Sequence, residues 1–331
     1  MDSLVHSAAN ASSRATLAGA LTARTRLVAA LALVIASLPL VIANDYFYDV
    51  AITVALNAIV CIGLNLLIGY AGQISLGHAG FFALGGYGTA LVATRYGWPT
   101  LAAFVAAVAA VALLAFIVGR PILRLKGHYL AMATLGLGII VSIVISTEDR
   151  ITGGPDGMQV PALAIGGLVV QGERAWYWIA GGALVAATWV ASNLIDSPTG
   201  RALRALHTSE IAAEVAGIDS ARHKLFVFVV SAAFAAVAGG FAALHAGFIT
   251  PAKASFFHSI ELVTMVVFGG MASTGGAIVG AAVLTVLPQV LTVFHDYEMI
   301  VFGGLLMATM IFLPRGVVPT LYGMLASRTR S

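Results

Sequence analysis

Charge is scarce in this chain. Of 331 residues, 17 are basic and 14 acidic, or 9%, against roughly 25% in a soluble domain. So few charges could not cover a soluble surface, which excludes an ordinary cytosolic enzyme and a disordered chain. Cysteine is nearly absent: Cys61 stands alone, so no intrachain disulfide exists and a secreted disulfide scaffold is excluded. Lysine occurs only at Lys126, Lys224 and Lys253, followed by Gly, Leu and Ala. No Gly-Lys-Ser/Thr phosphate loop can be drawn, so any ATP chemistry belongs to another chain. The eight histidines form no H-E-x-x-H or H-x-x-H pair, and no Gly-x-Ser-x-Gly elbow occurs. The reading is therefore a non-enzyme without cofactor or metal motif. A net charge of +3, thinly scattered, does not call for nucleic acid.

What the chain has is apolar length. Hydrophobic residues make up 60%, in runs without the polar alternation of a membrane β-barrel. Glycine is 36 of 331, about 11% against a usual 7%, which suits helices packed through small residues in lipid. The expected fold is all-α: a polytopic integral membrane helix bundle of about 8–10 spans, some broken or short. A span needs about 20 apolar residues. Candidates are 27–43, 50–69, 78–94, 100–119, 129–147, 176–195, 225–247 and 299–313. The first ends at Val41-Ile42-Ala43, which resembles a signal cleavage site, but its apolar stretch exceeds a signal core. Residues 259–293 are long for one span and short for two, and Gly269, Gly270, Gly275, Gly276 and Gly280 break them. They read as a broken helix or two short ones, tolerated at membrane depth only against protein or a water-filled path.

Basic and acidic loops alternate along the chain. The basic set is the N-terminal tail, Arg120/Arg124/Lys126, Arg201/Arg204/Arg222/Lys224 and Arg315/Arg328/Arg330. The acidic set is Asp45/Asp49, Glu148/Asp149/Asp156/Glu173 and Asp296/Glu298. By the positive-inside rule both termini are cytoplasmic, although Arg95, Arg150, Arg174 and Lys253 fall outside the pattern. The organisation is a tail over 1–26, one transmembrane domain over 27–315 and a tail over 316–331.

The largest basic loop, 196–224, carries helix signals. Ser197-Pro198 is a cap followed by a first-turn proline. Thr208 can cap a second helix, Glu210 sits near its positive end, and Gly217 can stop it in the left-handed conformation. This two-turn helix is either a connector or a docking element for a cytosolic partner.

At this point the residues resemble a known family. Importer permeases driven by ATP-binding-cassette subunits carry a cytoplasmic EAA-x-x-x-G loop whose short helix enters a groove of the ATPase. Ile211-Ala212-Ala213-Glu214-Val215-Ala216-Gly217 is similar to its Ala-Ala-x-x-x-Gly part, with Ile211 where the motif has Glu and Glu210 one place earlier. Other segments resemble the LivM-like permeases of branched-chain amino-acid importers: residues 63–79 (GLNLLIGYAGQISLGHA), 126–131 (KGHYLA), 152–157 (TGGPDG), 200–205 (GRALRA), 259–261 (SIE) and 269–273 (GGMAS). In order, they cover roughly residues 50–315. The resemblance implies a bacterial-type plasma-membrane permease with a second permease subunit, identical or not, two P-loop ATPases and an extracytoplasmic solute-binding protein. It implies ATPase coupling through Arg201, Arg204, Glu210, Ala212, Ala213 and Gly217. The family's default cargo is branched-chain amino acids; urea, short amides and other small carboxylates are alternatives. An ion-coupled secondary transporter is the competing class, and would need intramembrane ionisable or carbonyl ion sites.

Polar groups within apolar runs are costly in lipid and face the bundle or a path. Asn57, Cys61, Asn65 and Gly69 recur every four residues on one helix face, and Gln73, Ser75 and His78 follow. They either glue helices together or, with Glu261, line the translocation path. His245 falls on the face of Ala238 and Ser231 and reads as a buried, satisfied histidine. His258 and Glu261, three apart, read as a hydrogen-bonded pair near the outer boundary or as a gate. The 152–157 turn cluster is a plain turn or part of a receptor-docking face.

Overall fold

The structure, a computed structural model, describes residues 25–40, 44–165, 168–291, 303–304, 307, 311 and 316–320. The described chain is helical almost throughout. Helix α1 spans Thr25–Leu40. Helix α2, Asp45–Asn65, starts at Asn44, whose side chain accepts the Tyr46 N–H. It continues through a wider π-type turn, Leu66–Tyr70. Then come α3 (His78–Arg95), α4 (Thr100–Ile122), α5 (His128–Thr147), the single turn α6 (Asp149–Thr152) and α7 (Glu173–Asp196). The amphipathic α8 (Pro198–Thr208) and short α9 (Glu210–Val215) precede α10 (Ser220–Ala246), α11 (Phe256–Gly269) and α12 (Thr274–Leu291). Four two-residue strands, β1 (Met158–Gln159), β2 (Ala164–Ile165), β3 (Leu168–Val169) and β4 (Phe248–Ile249), make two antiparallel pairs, β1 with β4 and β2 with β3.

Six helical segments among the described residues are long and apolar enough to cross a membrane: Asp45–Tyr70, Thr100–Ile122, His128–Thr147, Glu173–Asp196, Ser220–Ala246 and Thr274–Leu291. Helices α1 and α11 are apolar but shorter. The expected span 78–94 forms as α3, whose 18 residues include the polar ends His78 and Arg95 beside four glycines, and it falls outside the six. Most of 299–313, and nearly all of the 1–26 tail, lie outside the described residues. Within the expected tail 316–331, residues 317–320 form a helical turn and Gly316 lies against Gly270. These residues pack on the bundle.

Helix α2 is the centre. From Ala55 to Ala71 every residue is buried, because α7, α10, α11 and α12 all pack on it. Helix α10 packs on α3 and α4, and glycine sets how closely. A Cβ on Gly85 would strike the Ala236 carbonyl, and one on Gly239 the Phe82 carbonyl. Small residues let backbones touch where lipid supplies no hydrophobic drive. Helices α4 and α5 turn Val105, Leu113, Ile117, Ile139, Ile140 and Ile143 outward, as a lipid-facing surface requires.

The 259–293 stretch resolves into two helices with a tight turn between them. Helix α11 has 14 residues, about 21 Å at 1.5 Å per residue, short of a hydrocarbon core of about 30 Å. Its crossing with α12 is glycine on glycine: a Cβ on Gly269 would meet the Gly276 carbonyl, and one on Gly280 the Met265 carbonyl. The turn uses Gly270 at φ 117° and Ala272 at φ 59°, and Ser273 accepts the Gly276 N–H at 3.0 Å to start α12. A second interruption, residues 71–77, separates the π-type turn from α3. Non-helical backbone is tolerated at membrane depth only inside protein or along water.

Candidate coupling and translocation sites

Residues 197–224 fold into one capped, cross-linked unit at the end of α7. The Ser197 hydroxyl accepts the Gly200 N–H at 3.3 Å and opens α8 with Pro198 in its first turn. Helix α8 buries Ala202, Leu203 and Leu206 and exposes Arg201, Arg204, His207 and Thr208. Ser209, not the expected Thr208, caps α9: its hydroxyl accepts the Ala212 N–H at 3.3 Å. The Thr208 hydroxyl instead donates to the Arg204 carbonyl at 3.1 Å, which leaves the extended backbone of the cap to Ser209. Helix α9 ends in a Schellman motif. The Ile218 N–H donates to Ala213 at 3.0 Å, the Gly217 N–H donates to Glu214 at 2.9 Å, and Gly217 takes φ 84°.

Within α9 the expected coupling residues divide. Ala213 is 3% exposed and faces its own chain. Ala212, Glu214, Ile211 (74%) and Val215 (85%) face outward. The surface offered by this helix is therefore Ile211, Ala212, Glu214 and Val215, and Ala213 is its root. Arg201 and Arg204 lie on the exposed face of α8. Glu210 points inward: its carboxylate is 2.7 Å from Lys224 Nζ and 3.8 Å from Lys126 Nζ. The Lys224 hydrogen bond, opposed by partial burial and aided by the charges of Lys224 and Lys126, holds the Glu210 carboxyl below the usual carboxylate range. Lys224 was legible in the sequence only as a loop cation. The overlooked signal was its place near the start of an apolar helix, where the dipole disfavours a cation and a nearby acid is needed.

Each position of the polar stripe of α2 makes a contact within the chain. Asn57 donates to the Thr285 hydroxyl of α12 at 3.0 Å. Cys61 is buried, 3.8 Å from the Leu262 carbonyl and from the Met265 sulfur of α11. Asn65 accepts the Ala272 N–H at 2.9 Å in the α11–α12 turn. Gly69 lies against the same residue, since a Cβ there would overlap Ala272. Four positions on one face thus fasten α2 to α11, the turn and α12, which is the arrangement the gluing alternative describes.

His78 is likewise bonded at both ring nitrogens. Nδ1 lies 3.0 Å from the Ser75 hydroxyl and Nε2 2.7 Å from the Ser231 hydroxyl of α10, with Phe81 and Phe228 edge-on to the ring. Ser231 was singled out by the sequence only as a small-residue contact. The Gln73 N–H donates to Leu67 at 3.0 Å, but its buried Oε1 has no partner among the described residues. His258 Nδ1 meets Glu261 at 3.2 Å, and its ring stands edge-on to Phe82 of α3. Its buried Nε2 is also without a partner among the described residues, and the Glu261 side chain is exposed. Gln73, His258 and Glu261 therefore retain polar capacity that the fold does not use. Near the other end of the chain's acidic loops, Thr152 donates to Ile145 at 2.6 Å and Gly157 packs on Ile249, so the 152–157 cluster is an ordered turn.

A family model described as Branched-chain amino acid transport system / permease component matches residues 46–310. That range contains α2 from its second residue through α12, with the whole α8–α9 unit and the polar stripe. The chain belongs to this family. It is similar to the high-affinity branched-chain amino acid transport system permease protein LivM of Salmonella typhimurium, 36% identical over 228 residues, covering 62% of this chain and 54% of that protein. LivM of Escherichia coli matches to the same extent. The permease protein LivH of Salmonella typhimurium is 25% identical over 242 residues, covering 70% of this chain and 72% of that protein. The chain spans about half the length of the LivM relatives it matches. No solved structure matches it significantly. Family membership and the six apolar helices together make this a multi-pass membrane protein of the permease family.

Proposed function

We propose that this permease is the membrane-spanning subunit of an ATP-driven importer for branched-chain amino acids, and that α8–α9 is where a separate ATPase docks. The observation that carries this reading is the division of α9 into a buried root and an exposed apolar face. An exposed Ile211 and Val215 on a six-residue helix have no use to the isolated chain, and fit the groove of a partner. The Glu210–Lys224 pair then matters mechanically. It fixes α9 to the start of α10, and α10 packs on α2, α3 and α4. A displacement of α9 by the ATPase reaches three membrane helices through one rigid element, which is what alternating access requires of a coupling helix.

The names of the LivM and LivH relatives support the cargo class. Both proteins occur in Salmonella typhimurium and in Escherichia coli, both are named as permeases of one kind of system, and both resemble this chain. That supports a second permease subunit beside this one, and an extracytoplasmic binding protein delivering solute to the pair. The α8–α9 unit and both termini would face the cytoplasm. Gln73, His258 and Glu261 are the groups we assign to a polar solute, since Asn57, Asn65, Ser75 and His78 each bond within the bundle.

The deciding experiment is leucine uptake into proteoliposomes holding the permease pair, ATPases and loaded binding protein. Uptake that needs hydrolysable ATP, and survives collapse of ion gradients, is expected. Uptake that follows an ion gradient without ATP would overturn the reading in favour of a secondary transporter.

A further inference from the structure

Three residues far apart in the sequence meet on one rim of the bundle. Asp49 lies near the start of α2, Glu173 opens α7 and His245 lies in the last turn of α10. Helices α2 and α7 begin at the rim where α10 ends, opposite α8 and α9. One ligand atom from each residue lies within 4.8 Å of the other two. His245 Nε2 is 2.8 Å from a Glu173 oxygen and 3.9 Å from an Asp49 oxygen. In a tetrahedral zinc site, bonds of about 2.0–2.2 Å place neighbouring ligand atoms about 3.3–3.6 Å apart. The two observed separations bracket that spacing.

The surroundings favour a cation as well. The His245 ring is nearly buried and stands edge-on to Trp176 of α7, 5.5 Å between centroids, so its direction is fixed. The Asp49 side chain is exposed, which leaves room for water at a fourth position. Arg174, the cation next along the chain, lies over the Tyr48 ring at 5.8 Å. Two carboxylates bring two negative charges to the site, and among the described residues Arg174 forms no ion pair with either. Imidazole selects zinc-like ions over calcium and magnesium, which take oxygen ligands.

We propose that Asp49, Glu173 and His245 form a binding site for one divalent transition-metal ion of the zinc class. The ion ties the ends of α2, α7 and α10 together, so it fixes helix spacing at the rim away from the ATPase-docking unit. No spacing in the sequence announces the site, because its three ligands come from three helices. The proposal does not depend on the direction or cargo of transport.

The test uses the full-length protein without an affinity tag, purified in detergent, stripped of metal and titrated with Co²⁺ and Zn²⁺. One Co²⁺ per chain with the visible absorption of a tetrahedral ion, displaced by Zn²⁺ and not by Ca²⁺, is expected. Asp49→Asn should weaken binding at least about tenfold, since even residues that only support a ligand cost 10–100-fold. Asp49 is too far from His245 for a hydrogen bond, so this variant should keep the metal-free melting temperature. His245→Gln should remove binding, and the exposed His223→Gln should not change it. No saturable binding, or wild-type affinity kept in Asp49→Asn and His245→Gln, would overturn the proposal and leave a plain His245–Glu173 hydrogen bond.

Discussion

Lys224 and Glu210 meet at 2.7 Å across the junction of α9 and α10, with Lys224 only 8% exposed. Losing a hydrogen bond between charged groups costs about 1.5–3 kcal/mol, and the group left behind would be a buried, unpaired charge. Glu210→Ala should therefore lower stability by about that amount in thermal unfolding. Lys224→Met combined with Glu210→Gln should recover much of it, because neither charge is then stranded. Additive losses in the double variant would show that the pair is not coupled.

The same pair sets a pH dependence. The Glu210 carboxyl titrates below its ordinary value in the folded protein, through its bond to Lys224. Folded-state stability from the pair is thus complete above the unfolded pKa, about 4.3, and is lost as pH falls through the lower folded value. The melting difference between wild type and Glu210→Gln should stay constant at neutral and mildly acidic pH, and shrink only below about pH 4. A difference that disappears near neutrality would contradict the assignment.

On α9, burial separates two kinds of substitution. Ala213→Arg drives bulk into a site that is 3% exposed, and overpacking costs about 1–3 kcal/mol. It should lower the melting temperature whether or not a partner binds. Ile211→Arg and Val215→Glu act on outward side chains and should leave melting unchanged. If a partner covers that face, ATPase capture should fall at least several-fold, with about 1.4 kcal/mol for each factor of ten. Capture at the wild-type level in both would make α9 a connector only.

The bundle was legible because lipid imposes long apolar runs, and the runs at 100–119, 129–147, 176–195 and 225–247 all became helices. The cap–turn grammar of residues 197–217 was legible too, down to Gly217 in the left-handed conformation. The direction of side chains in so short a helix was not. Ala212 and Ala213 are chemically alike and adjacent, and only the packing of α9 on its own chain tells them apart. The roles of Asn57 and Asn65 were equally closed to spacing, since a polar stripe looks the same whether it faces water or Thr285 and Ala272. Contacts between residues 200 positions apart, such as Asn65 with Ala272, leave no local trace.

Asn65 and Ala272 give the sharpest separation of glue from path. Ala272 holds φ 59° without being glycine, a conformation that costs an L-residue roughly 1–2 kcal/mol, and the Asn65 amide oxygen holds it there at 2.9 Å. Asn65→Leu removes that acceptor, leaves the Ala272 N–H unsatisfied and puts a branched side chain beside Gly69. Ala272 is exposed and the bond is part-buried, so losing it costs about 0.5–1.5 kcal/mol. The assembled complex and the uptake rate should therefore fall together. Adding Ala272→Gly should restore part of the stability by relieving the left-handed strain, while the unpaired N–H remains. The measurement is the amount of assembled complex in the membrane beside uptake per complex. Normal assembly with reduced uptake per complex would instead place Asn65 on the translocation path.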